Sequence, residues 1–133
     1  MRFMLIVKAN DKSEAGILPS EKELADMATF NEEMIKSGLM LAGEGLQASS
    51  KGARVKFAGG KPTVVDGPFT ETKELIAGFW LIQAKSRQEA IEGARRVPFV
   101  DGEVEVRQVF ELEDFGQSDA VEAHAKNREQ LRR

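Results

Sequence analysis

Gly78-Phe79-Trp80-Leu81-Ile82-Gln83-Ala84 alternates like a strand, yet both of its faces are apolar, Phe79 with Leu81 on one side and Trp80 with Ile82 on the other. Near the N-terminus Arg2-Phe3-Met4-Leu5-Ile6-Val7-Lys8 repeats the arrangement, with Phe3, Leu5 and Val7 opposed to Met4 and Ile6. A strand greasy on both sides needs cover on both. Each large apolar side chain taken out of water contributes roughly 1.5 to 3 kcal/mol, so leaving either row wet would be costly.

The segments around these two strands supply one layer of cover. Ser20 and Glu23 form a capping box, after which Leu24, Met27, Ala28, Met34 and Ile35 recur at helical spacing until Gly38, a residue suited to a left-handed C-terminal position. Ser86 with Glu89 repeats the box, and Ala90, Ile91, Ala94 and Val97 form a second helical stripe that Pro98 ends. Leu39 to Leu41 begins a strand that runs into Gly43-Glu44-Gly45-Leu46, where two glycines around a carboxylate predict a strand end or a bulge. Glu103 to Phe110 sets Val104 and Val106 against Glu105 and Arg107, a strand with one wet face. Arg54–Ala58 and Pro62–Val65 read as a hairpin joined by Gly59-Gly60-Lys61. Asn10 to Gly16 and Gln47 to Gly52 read as loops, the second rich in turn formers. Residues 116–133 form a polar, helix-forming tail anchored chiefly by Val121 and Leu131, with Asp119 and Glu122 as a cap.

The order strand, helix, strand, hairpin, strand, helix, strand is that of an α+β domain, the ferredoxin-like split βαβ arrangement with an inserted hairpin, over residues 1–115. Both helices then cross on one side of the sheet, and the other side stays bare. A twofold partner stacking sheet on sheet is the simplest cover, so a homodimer is expected. The C-terminal helix folding over the bare face is the other answer, disfavoured by its thin apolar stripe.

Composition narrows the chemistry. The 133 residues suit one domain, and 41% hydrophobic with 31% charged residues describe a globular chain. A net charge of −3 excludes a nonspecific grip on nucleic acid, and the absence of any long apolar run or leader-like N-terminus leads to the expectation of a cytoplasmic protein without a membrane segment. Zero cysteines, no tyrosine and one histidine, His124, remove thiol nucleophiles, thiolate metal sites and a Ser-His-Asp arrangement. Proton chemistry is left to carboxylates, Lys and Arg.

The densest chemistry lies in Thr63-Val64-Val65-Asp66-Gly67-Pro68-Phe69-Thr70-Glu71-Thr72-Lys73-Glu74. Asp66 is either a general base raised by the apolar residues Val64, Val65 and Phe69, or an acceptor for the amides of its own Gly-Pro turn. Glu44 either faces a ligand that its glycines let approach or simply sits at the bend. Glu74 is a candidate second carboxyl. Lys73 and Arg107 are candidate anchors for a carboxylate or enolate, with Arg107 alternatively paired to Glu44 or Glu105. Phe69 and Trp80 are candidate walls for a ligand, though an aromatic in such a strand more commonly serves core or interface.

Asp66-Gly67-Pro68-Phe69 followed by Glu71-Thr72-Lys73-Glu74 resembles the signature of the DGPF group of YCII-related proteins. The similarity runs from Met1 to about Phe110 and includes Met4-Leu5-Ile6, Gly43-Glu44-Gly45-Leu46, Gly78-Phe79-Trp80-Leu81-Ile82 and Glu103-Val104-Glu105-Val106-Arg107. The resemblance implies a ferredoxin-like subunit pairing into a dimeric α+β barrel with a cleft beside the sheet. Two functions are then open. One is a cofactor-free lyase or isomerase working by proton transfer in the dimer cleft, with Asp66 as the base, Glu44 or Glu74 as a second carboxyl and Lys73 or Arg107 as the anchor for a small anionic ligand. The other is a non-catalytic ligand-binding or regulatory module in the same cleft, and the resemblance adds to it that relatives occur in association with alternative sigma factors. The His and Asp pair of the wider class has no counterpart here, because His124 lies in the tail. An oxygen-ligand metal site from Glu44, Asp66 and Glu74 is a third, weaker reading.

Overall fold

The computed structural model describes Met1–Arg132. Its elements are β1 (Arg2–Lys8), α1 (Asp11–Glu14), α2 (Glu21–Lys36), β2 (Met40–Gly45), β3 (Ala53–Ala58), β4 (Lys61–Asp66), β5 (Ile76–Gln83), α3 (Arg87–Arg95), β6 (Val104–Gln108) and α4 (Asp119–Leu131). Single 3-10 turns cover Ser49–Lys51, Thr72–Glu74 and Leu112–Phe115. The fold is α+β, with one four-stranded antiparallel sheet in the order β2-β5-β1-β6 and a separate two-stranded sheet, β3-β4.

The two doubly apolar strands lie at the centre of the larger sheet. Leu5 pairs with Trp80 and Phe3 with Ile82, and on this side Phe3, Leu5, Trp80 and Ile82 are buried together with Phe30 and Met34 of α2 and Ala90 of α3. The two helices meet over the strand, since a methyl group added at Gly93 would lie 3.5 Å from Met34 Cε and 3.8 Å from Ile82 Cδ1. Core and helices therefore occupy one face.

Local signals explain the helix boundaries. Ser20 accepts from Glu23 N–H while Glu23 reaches back to the Ser20 amide, and Gly38 takes φ 76° beyond the last turn. At Ser86 only half of the expected box forms, the hydroxyl accepting from Glu89 N–H. The tail helix is capped by Ser118, which accepts from Val121 N–H, rather than by Asp119 with Glu122. A serine hydroxyl one residue earlier reaches the third amide of the helix, and Asp119 is already inside the first turn.

Three other expectations are corrected. The segment Asn10–Gly16 is not wholly a loop, because Asn10 and Ser13 exchange side-chain bonds with each other's backbone and wind Asp11–Glu14 into one turn. Of the two readings of Gly43-Glu44-Gly45, the strand end holds, since β2 closes at Gly45, and the bulge reading is corrected: the pairing skips from Met40 to Ala42, at Leu41, and then runs regularly through Gly43, Glu44 and Gly45. On α2, Leu24 and Ile35 are 56% and 61% exposed, whereas Phe30, outside the expected series, is buried. The helix turns Phe30 and Met34, four residues apart, onto the sheet, which moves Leu24 and Ile35 off the contact face.

The hairpin turns through Gly59 and Gly60, both at positive φ (57° and 79°), the two-residue geometry that suits the twist of paired strands. Val55 pairs with Val64, and these with Phe57 leave an apolar row largely open to solvent. Among the described residues no helix is long and apolar enough to cross a membrane.

Candidate functional site

Register places the candidate residues in three locations. On the helix-free face of the large sheet, read from β2 across β5 and β1 to β6, one row is Ala42, Leu81, Met4, Arg107 and the next is Glu44, Phe79, Ile6, Glu105. The middle of this face is apolar and only partly covered, while its two rims are charged. Glu44 is exposed and makes no ion pair among the described residues. On the opposite rim Glu105 is held by Lys8 at 3.3 Å and Arg107 at 3.1 Å, and the Arg107 hydrogen bond, followed by that from Lys8, keeps the Glu105 carboxyl below its usual range. Arg107 thus makes one of the two pairings expected of it, with Glu105 rather than Glu44 within this chain. Glu44 and Arg107 sit on the outer strands, three strand spacings or roughly 14 Å apart.

The second location is the corner at one end of the sheet, where Asp66, Phe69, Lys73 and Glu74 lie. Asp66 closes β4 opposite Ala53 and is exposed, and the Gly67–Pro68 peptide that follows is cis. The corner is pinned by residues that short-range pattern reading passes over. Ser49 accepts from Phe69 N–H at 3.1 Å and donates through its hydroxyl to Glu14, whose carboxylate also takes the Ser49 amide at 2.9 Å. These bonds favour the ionised form and lower the Glu14 pKa, the hydroxyl contact contributing most. The Arg54 guanidinium lies 3.8 Å above the Phe69 ring and 3.7 Å from Glu71. Gly67 packs so closely on this turn that its N–H donates to Gly52 O at 3.0 Å. Lys73 and Glu74, with Asp11 and Glu71, line an open groove of about 600 Å³ that Asp66 does not reach. Glu14 and Ser49 are 35 residues apart, so only the folded chain reveals their contact.

Trp80 occupies the third location, the core. Its indole N–H donates to Asn31 Oδ1 at 2.9 Å and its ring meets Phe30 edge-on at 5.3 Å. It therefore faces the helices, away from Glu44 and Arg107, and the aromatic on the open side is Phe79. Glu44, Asp66 and Glu74 do not converge: among the described residues no three acidic, histidine or cysteine side chains are grouped to hold a metal ion.

The tail reaches the sheet through charge. Arg2 donates to Glu111 from Nε at 2.8 Å, and Arg128 of α4 approaches the same carboxylate at 3.5 Å. The hydrogen bond from Arg2 is the main reason the Glu111 pKa is lowered. Beyond this the helix packs mainly on the Leu112–Phe115 turn before it, leaving Leu131 86% exposed.

A four-stranded antiparallel sheet with α2 and α3 on one side, a half-buried apolar opposite face and charged rims defines a small α+β protein. The profile of the YCII-related domain matches residues 1–113, and the chain belongs to that family. It is also 30% identical over 89 residues to an uncharacterized protein of Rhizobium meliloti (strain 1021), a match covering 65% of this chain and 72% of that one.

Proposed function

We propose that the protein is a ligand-binding module that works as a homodimer: two ferredoxin-like subunits of the DGPF type stack their helix-free faces as a dimeric α+β barrel and hold a small anionic ligand in the cleft between them. The observation that carries this reading is the pair of adjacent rows Leu81 with Met4 and Phe79 with Ile6, apolar and only partly covered in one chain, with charged residues only at the rims. Stacking two such faces removes from water the area that would otherwise be left wet.

Binding is favoured over lyase or isomerase chemistry by the setting of the carboxylates. Asp66 and Glu74 lie at the corner, off the stacked faces, and are exposed, whereas a carboxyl that serves as a base near neutral pH is usually raised by burial. Lys73, Phe69 and Asp66 then act at the rim of the cleft, and Arg107 anchors the anion.

The test has two arms. Sedimentation at micromolar concentration reads a dimer, and a panel of small mono- and dicarboxylates is screened by thermal shift, where a bound member raises the melting temperature. Asp66→Asn shifts the affinity of that member by only a few fold. A stable lone protomer would overturn the proposal, as would turnover of a lactone or hydroxy acid that Asp66→Asn abolishes.

A further inference from the structure

The charges on the open face also say how a second copy would lie on it, an inference that rests on the homodimer proposed above. The rims are unlike: β2 carries the lone Glu44, and β6 with Lys8 of β1 carries a cluster of two cations and Glu105, net +1. Two identical sheets can stack about a twofold axis parallel to the strands, which places β2 of one chain over β6 of the other. About an axis across the strands, β2 instead lies over its own copy. The second arrangement brings Glu44 towards the partner's Glu44 and one cationic cluster towards the other. The first brings each carboxylate over a cluster of opposite net sign, and it does so twice.

We infer that the copies exchange edges, so that Glu44 of one chain meets Lys8, Glu105 and Arg107 of the other and the dimer contains two composite charged sites. Register gives the match its detail. Glu44 and Glu105 share one cross-strand row, so edge exchange sets Glu44 above the partner's Glu105, flanked by the two cations that already hold that carboxylate. The apolar pairs Phe79 with Ile6 and Leu81 with Met4 lie between the rims and stack against their copies in either arrangement. They drive association, and the rims choose its direction. The carboxylate and the cationic anchor at each end of the cleft therefore come from different chains, which closes the gap that separates Glu44 from Arg107 within one.

The chain has no cysteine, so introduced thiols report without background. Full-length Glu44→Cys and Glu105→Cys chains are treated, alone and mixed, with a bis-maleimide spanning about 10 Å, the usual distance between stacked sheets. Sedimentation of each sample is run beside the reaction. Edge exchange predicts cross-linked dimer in the mixture and little in Glu44→Cys alone, whose thiols would be separated by the sheet's width as well as the sheet spacing. Cross-linking of Glu44→Cys alone, or a dimer that links in neither sample, overturns the inference while leaving the homodimer in place. A protomer that sediments alone overturns both. As a second reading, Glu44→Arg and Arg107→Glu chains each dimerise at least tenfold more weakly, and mixing them restores wild-type affinity because every pair is again opposite in sign. Failure of the mixture to recover also rejects edge exchange.

Discussion

Replacing Gly67 by alanine tests whether the corner after β4 is as tightly built as it looks. A methyl group there would stand 1.8 Å from the Ser49 carbonyl oxygen and 2.7 Å from its carbonyl carbon, and both atoms are backbone. Gly67 is not among the glycines at positive φ, so the cost is a collision and not a forbidden dihedral. The turn carrying Ser49 has to move, and with it the bonds from Ser49 to Glu14 and Phe69. Overpacking of this kind costs about 1 to 3 kcal/mol. With an unfolding entropy of roughly 2.1 cal/mol/K per residue, a chain of 133 residues loses about 3 to 4 °C per kcal/mol, which predicts a fall of roughly 4 to 11 °C. Differential scanning calorimetry reads this directly, with Gly45→Ala as the control, since nothing lies within 4 Å of a methyl group at that position. A Gly67→Ala protein that melts within a degree of wild type would refute the reasoning.

Three further outcomes are expected. Met34→Ala, at a position 2% exposed, should lower unfolding free energy by about 2 to 5 kcal/mol in urea, while Leu24→Ala on the same helix changes it by less than about 0.5. Trp80→Phe should destabilise the protein by roughly 1 to 3 kcal/mol, because it leaves the Asn31 carboxamide without its indole donor, and Asn31→Ala made on top should add little in a double-mutant cycle. The Glu111 carboxyl is held below its ordinary range, chiefly through the hydrogen bond from Arg2, so the stability it contributes is fully present above the unfolded pKa and is lost as pH falls through the folded pKa. Urea melts between pH 6 and pH 3 should therefore show a shallower acid loss for Glu111→Gln than for wild type, and an unchanged slope would count against the Arg2 contact.

Strand identity and the two capped helices were legible because local physics and tertiary need agree there: Phe3, Leu5, Trp80 and Ile82 alternate, and Ser20 and Ser86 precede stripes of helical period. The face each helix buries was less so. Phe30 and Leu24 are both apolar on α2, and only contact with β5 decides that Phe30 goes inside. At the site, alternation alone could assign Glu105 and Arg107 to the side opposite Val104 and Val106. That Glu44 shares their face depends on the bulge at Leu41, whose extra residue sets the parity of everything after it. The links from Glu14 to Ser49 and from Arg54 to Phe69 join distant segments through polar groups that carry no periodicity, so no pattern in the chain announces them.

The β3-β4 hairpin stands clear of the large sheet, and along each of its outer sides a line of amide and carbonyl groups is left unpaired by the sheet among the described residues. Such borders are templates on which further chains can add strands and grow into fibrils. Lys51, Arg54, Lys56 and Lys61 give residues 51–65 four positive charges and no negative one, so neighbouring hairpins repel each other before their borders can zip together. Neutralising those lysines by acetylation removes that guard, and solubility would then fall by self-templating even with the rest of the molecule intact.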